Sequence, residues 1–220
     1  MVSQPGDNRR YGRRAFLGTT ALGLSSLLWG SSAWRALAQV LPPQLVPGWR
    51  IYTVASSMPT FDPASWRLTI DGLVDRPGTL TYESLRSLPR AEQVSTFHCV
   101  TGWTVKNVRW GGVRLNDVLP LASPHAAAQG LEFVSMEEPY VDFLTLKQAG
   151  LHDVMLAYEM DGKPLPREHG APVRVVIPDM YGYKGVKWVA RITAGIDASP
   201  GYWEQRGYDT DAWVGRSNGY

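Results

Sequence analysis

Strand-like segments follow one another along this chain without the long intervening helices that a parallel sheet requires. Residues 66–71 alternate apolar and polar side chains, the period of a half-buried strand. Residues 94–100, 131–135, 140–144, 154–160, 173–177 and 186–192 read as further strands, and turn residues separate most of them. Asp75-Arg76-Pro77-Gly78 is a turn, and Glu137-Glu138-Pro139 is an acidic turn joining a strand pair. Only short helices fit between them. One covers residues 82–87, capped by Thr81 and stopped before Pro89, and another covers residues 115–121. Trp110-Gly111-Gly112-Val113 interrupts the strand pattern. The expected class is α+β, with a mixed, mainly antiparallel sheet and short helices.

The two ends of the chain differ in character. Residues 9–18 hold Arg9, Arg10, Arg13 and Arg14, residues 19–30 are uncharged and largely apolar, and Ala36-Leu37-Ala38 precedes Gln39. A basic region, a short apolar stretch and a small-residue cleavage site make a signal peptide over residues 1–38. The apolar stretch is too short and too rich in Gly and Ser to be a membrane span. Arg13-Arg14 ahead of Ala15-Phe16-Leu17 resembles the twin-arginine (Tat) signal, which implies periplasmic or other export. Residues 39–65 carry Pro42, Pro43, Pro47, Pro59 and Pro63 and read as an extended lead-in. Residues 66–220 form one domain, and cofactor contacts are expected to begin near residue 50.

Residues 1–38 hold five of the 22 basic residues and one of the 20 acids, so the remainder has two more acids than bases. That balance excludes a general nucleic-acid binder. Cys99 is the one cysteine, so no internal disulfide can form. A lone thiol without regular His spacing does not suit structural zinc. The residues themselves leave three readings open: a buried inert thiol, a metal ligand, or a hydrolase nucleophile served by His98, His125, His152 or His169.

Phe97-His98-Cys99-Val100-Thr101-Gly102-Trp103, followed by VRWGGVRLNDVL at 108–119, resembles the molybdenum-ligating segment of the sulfite-oxidase fold family. HGAPVRVVIPDMYGYKGVKWVARI at 169–192 is similar to that family's pterin-binding segment, and GYWEQRGY at 201–208 to its closing segment. WRLTIDGLV and Asp161-Gly162-Lys163-Pro164-Leu165 fit as well, so the likeness runs in order over about residues 50–210. The resemblance implies the sulfite-oxidase catalytic-domain fold and molybdenum-molybdopterin as cofactor. The cofactor's dithiolene would give the metal two sulfurs and Cys99 a third, a soft donor for a thiophilic metal.

By the same resemblance His169, Arg174 and Lys187, helped by Lys184, hold the pterin or its phosphate. Tyr52, His98, Thr101 and Asp142 complete the expected cofactor set. Trp103 and Tyr208 stand with Cys99 as catalytic candidates, Trp110 is expected beside them at the substrate mouth, and Trp188 in the core. Gly111, Gly112, Gly182 and Gly185 would let backbone approach the flat cofactor.

Sulfite oxidases place arginines soon after the metal-ligating cysteine. Here Val100-Thr101-Gly102-Trp103-Thr104 follows Cys99, and Arg109 is the first arginine. The pattern is closer to periplasmic relatives that reduce sulfoxides, free or protein-bound, which implies oxygen-atom transfer at sulfur with an aromatic mouth. The alternatives are a sulfite dehydrogenase whose anion pocket uses Arg109, Arg114 or Arg206, and a non-catalytic cofactor-binding domain. No C-x-x-C-H occurs, so electrons are expected to pass to or from a separate haem carrier, a membrane haem protein or cytochrome c. The family's dimerisation domain has no counterpart, and a monomer is expected.

Overall fold

A computed structural model of the chain describes residues 48–196 and 199–218. The export signal read in residues 1–38 lies outside the described residues. Residues 48–66 carry neither helix nor strand. The elements that follow are β1 (Arg67–Gly72), β2 (Gly78–Thr81), α1 (Tyr82–Arg86), β3 (Arg90–His98), β4 (Thr104–Arg114) and α2 (Leu115–Ala122). Then come β5 (Gly130–Ser135), β6 (Val141–Thr145), α3 (Leu146–Ala149), β7 (Met155–Met160), β8 (Lys163–Pro164), β9 (Arg174–Val176) and β10 (Val189–Gly195). Single 3₁₀ turns occupy Arg167–His169 and Glu204–Arg206.

These strands make two sheets. The first has the order β2-β1-β10-β5-β6, and its β1–β10 pair is parallel while the others are antiparallel. The second has the order β3-β4-β7-β8, with β9 also paired to β7, and is antiparallel throughout. The expected class, mixed and mainly antiparallel with short helices, is the observed one.

The second sheet separates two apolar clusters, and strand periodicity decides which side chain joins which. On β7, Leu156 and Tyr158 enter the larger cluster, whereas Met155 and Ala157 enter the smaller one. On β9, Val175 and Val176 divide in the same way. Each fully buried Leu or Met contributes roughly 1.5–3 kcal/mol. Trp49 and Phe97 pack against the smaller cluster, and both also border the cavity described below.

Local chemistry explains most element ends. The Thr81 hydroxyl accepts from Ser84 N at 3.0 Å and starts α1. Thr145 and Gln148 form a capping box that starts α3, a helix absent from the expected elements although Thr-x-x-Gln is its signature.

Two expectations are corrected. Residues 110–113 do not break the sheet; they lie inside the eleven-residue β4. Neither glycine lines the cavity described below, so they do not serve approach to a cofactor; a Cβ on Gly112 would instead overlap the Leu156 carbonyl oxygen, and the pairing with β7 shifts register between Gly111 and Gly112. Gly112→Ala should therefore destabilise the fold by about 1–3 kcal/mol. That is a fall of several degrees in the thermal midpoint; an unchanged midpoint would contradict the close approach. The last strand begins at Val189, not at residue 186, because Trp188 takes a left-handed backbone (φ +51°). Residues 186–188 belong instead to the path that carries Lys187 to the cavity.

Candidate active site

Cys99 sits where β3 turns into β4. Its N–H donates to Trp103 O at 2.9 Å, and Gly102 N–H donates to Cys99 O at 2.9 Å. Gly102 adopts φ +97°, which favours glycine. The backbone of this turn is thereby fixed, while the half-buried thiol has one polar neighbour, Thr101 Oγ1 at 3.2 Å. Trp103, which closes the turn, is buried, and its indole N–H has no partner.

A second loop, residues 181–185, meets the turn. Gly182 N–H donates to His98 O at 2.7 Å, and a Cβ on Gly182 would overlap the Phe97 ring. Gly185 lies close to β9, where a Cβ would come within 2.9 Å of Val175 O.

Basic side chains supply the opposite wall. Arg174, at the start of β9, is 4% exposed. Its guanidinium donates only to carbonyls, at long range: Val175 O at 3.5 Å, His169 O at 3.3 Å and Gly185 O at 3.4 Å. It lies over the Trp110 and Phe97 rings, 5.1 and 5.5 Å from their centres. Burial lowers its pKa to about 10. Burial, then the Arg174 charge, lowers His169 to about 4, so that imidazole is neutral at pH 7. The same two causes lower Lys187 to about 8. Lys187 Nζ donates to Tyr52 O at 2.7 Å and to Glu168 O at 3.3 Å. Glu137, also in the wall, is turned to Thr53 Oγ1 and the N–H groups of Val54 and Ala55.

A cavity of about 170 Å³ joins these walls. Of the residues singled out in the sequence, Cys99, Thr101, Trp103 and Tyr208 line it, as do Tyr52, His169, Arg174 and Lys187. His98, Asp142 and Lys184 are not in its lining. His98 adjoins it through the backbone, and Asp142 and Lys184 pair with each other behind the wall at 2.7 Å. Trp110, expected at the mouth, is instead buried beneath Arg174, because its alternate face of β4 points into the smaller cluster. Trp188 is fully buried. Arg109, Arg114 and Arg206 do not line the cavity. Arg50 does, with a buried guanidinium nitrogen that has no partner. Nothing in the local pattern around Arg50 separates it from a solvated arginine. Trp49, Phe97, Tyr140, Tyr183 and Trp203 complete much of the aromatic wall.

The donor set fits one class of ligand. A buried guanidinium without a carboxylate demands an anion. Two orphaned N–H donors, on Trp103 and Arg50, demand acceptors. Among the described residues no three His, Cys, Asp or Glu side chains gather, so a metal on the Cys99 thiolate must draw its other ligands from a cofactor. A flat, anionic, metal-bearing group meets all three demands. Lys187 gives the site a pH dependence: the ammonium is present below about pH 8 and lost above it. Sulfate, whose charge is constant in this range, should bind the cofactor-free chain several-fold more weakly at about pH 9 than at about pH 7. Equal affinities in a calorimetric titration would contradict this.

Comparison with known proteins agrees with this donor set. Residues 55–203 match the oxidoreductase molybdopterin-binding domain family. The uncharacterized oxidoreductase YuiH of Bacillus subtilis is 37% identical over 69% of this chain and 77% of its own length. The sulfite oxidase of Arabidopsis thaliana is 35% identical over 66% of the chain, and that of Gallus gallus 36% identical over 69%. The chain spans only 45% and 39% of those two oxidases. Among solved structures, the sulfane dehydrogenase SoxCD from Paracoccus pantotrophus superimposes with a TM-score of 0.60 at 27% identity. That likeness covers 65% of this chain and 41% of the other.

Proposed function

The chain belongs to the sulfite-oxidase type of molybdopterin-binding oxidoreductases, and we propose that within this family it transfers an oxygen atom at a sulfur centre, reducing a sulfoxide. When bound, molybdopterin with its metal would provide the two-electron redox chemistry of the site. Cys99 would ligate that metal through its thiolate. Arg174, Lys187 and the neutral His169 would hold the pterin and its phosphate, with Tyr52 and Thr101 beside them. The aromatic wall would shield the bound cofactor's charged groups from part of the surrounding water, which would strengthen their hydrogen bonds. Trp103 and Tyr208 would face the substrate. Sulfoxide reduction consumes two protons and two electrons and releases a thioether and water. A separate haem carrier would supply the electrons.

One observation carries this reading: a buried guanidinium with no carboxylate partner shares a cavity with the one thiol of the chain. The residues that follow Cys99, Val100 to Thr104, carry no charge, which favours a neutral substrate next to the thiol. A second reading, sulfite oxidation, is favoured by the sulfite oxidases among the relatives and by the unpartnered Arg50 nitrogen in the wall. Steady-state assays decide between them. The expected result is turnover of methionine sulfoxide with a reduced electron donor; turnover of sulfite with cytochrome c and none of sulfoxide would replace the first reading with the second. We also propose export by the twin-arginine route, from Arg13-Arg14 and the apolar run behind them. Recovery of the protein solely from the cytoplasmic fraction would overturn that.

A further inference from the structure

Behind the cavity wall lies a charged cluster that the oxygen transfer does not use. Asp142 comes from β6, Lys184 from the loop at 181–185, and Glu204 from the last 3₁₀ turn; their side chains are 2–3% exposed. Lys184 Nζ donates to Asp142 Oδ1 at 2.7 Å, Phe143 O at 3.0 Å and Glu204 Oε1 at 2.5 Å, which uses all three of its protons. Asp142 Oδ1 also accepts from Phe143 N at 2.7 Å. The remaining oxygens, Asp142 Oδ2 and Glu204 Oε2, are buried with no partner. Two carboxylates against one ammonium leave a net negative charge away from water, which is costly. One proton held between the two carboxyl groups, which lie within hydrogen-bond reach of each other, cancels that charge.

We propose that Asp142 and Glu204 share one proton, and that the resulting neutral cluster with Lys184 is a latch positioning residues 201–208, and through them Trp203 and Tyr208, in the cavity wall. The backbone is built to close over the pair. A Cβ on Gly201 would lie 2.5 Å from Glu204 Oε2 and 2.9 Å from Asp142 Oδ1. Tyr202 N–H donates to Val141 O at 2.9 Å, and the Tyr202 ring stacks on Tyr140 with centres 5.5 Å apart. From Trp203 the ring contacts continue to Tyr208 and then Tyr183, each step 5.3 Å. Asp142, Lys184 and Glu204 are thus positioning residues, acting through aromatic rings that border the cavity.

The groups facing the pair are Lys184, Tyr140 ahead of β6 and Tyr183 beside Lys184, with Arg174 and Glu137 acting on Tyr140. Burial raises the Asp142 carboxyl to about 7, opposed by Lys184 and reinforced by Glu204. An acid whose folded pKa is raised costs stability as pH climbs from its unfolded value, near 4, to its folded one. The latch is therefore tightest in acid, weakens as pH climbs toward about 7, and is loosest above it.

Position in the wall matters to the reaction only if the cavity is the reaction site, so that part rests on the function proposed above; the shared proton does not. Isotope-edited infrared spectroscopy of the cofactor-loaded protein, labelled at aspartate and glutamate, reads the proton directly. At about pH 6 the carbonyl stretch of a buried carboxylic acid is expected, fading through neutrality and absent from Asp142→Asn. That variant keeps the shape and can donate from its amide to Glu204. No acid band in the wild-type protein, or a band that persists in both Asp142→Asn and Glu204→Gln, would overturn the proposal. The kinetic readout is the alkaline rise in KM, expected to be several-fold in the wild type with kcat changed less, and flattened in Asp142→Asn. An identical pH profile in the two proteins would reject the positioning role even where the acid band is present.

Discussion

Cys99→Ala is expected to abolish turnover while leaving the chain folded. The thiol makes one side-chain hydrogen bond, with Thr101, and its turn is held by backbone hydrogen bonds that alanine preserves. Stability should change by no more than about 1 kcal/mol, the range for a half-buried side chain outside any network. The chemistry, by contrast, loses a metal ligand. Groups that merely orient a ligand cost about 10–100-fold when removed, so deletion of the ligand itself should cost more than about a hundredfold in kcat/KM. Circular dichroism and steady-state kinetics on the same preparation check both halves. A folded Cys99→Ala protein with wild-type turnover would leave Cys99 as an ordinary buried thiol.

Arg174→Met should act in opposite directions on the empty and loaded protein. In the cofactor-free chain the guanidinium is buried with three long carbonyl contacts and no anion. Lowering of its pKa from 12.5 to about 10 corresponds to about 3 kcal/mol of unfavourable burial, partly offset by the Trp110 and Phe97 rings. A methionine of similar reach removes that cost, and the cofactor-free thermal midpoint is expected to rise by several degrees. Cofactor retention should fall by about tenfold or more, the loss of at least one charge-assisted hydrogen bond to an anion. Calorimetry of the cofactor-free variant and molybdenum content of the loaded one separate the two effects. A variant that is destabilised when empty and retains its cofactor would show Arg174 to be a structural residue.

Much of this architecture is legible in the sequence because local chemistry dictates it. The alternation in residues 66–71, the Thr81 cap and the acidic turn at 137–139 each specify an element through their own neighbours. The glycine pair at 111–112 misleads because its cause is non-local: the Leu156 carbonyl lies against Gly112 from a strand more than forty residues away. Residues 186–188 look like strand by composition, but the left-handed turn at Trp188 is imposed by tertiary packing. In the site, Cys99 stands out as the one thiol, and it is the family resemblance, not residue chemistry, that joins it to the block at 169–187. Arg50 does not, since only the folded chain shows that one of its nitrogens is buried and unpartnered. Asp142 and Lys184 are the converse case. The sequence singles them out as cofactor contacts, and the fold pairs them one layer back, with Glu204 as the partner that no motif announced.

The most direct measurement is molybdenum K-edge X-ray absorption on the loaded wild-type protein beside Cys99→Ser. One sulfur fewer around the metal is the expected difference in the variant, with pterin retained through Arg174, Lys187 and His169. The same sulfur count in both proteins would mean that the thiol at 99 does not hold the metal.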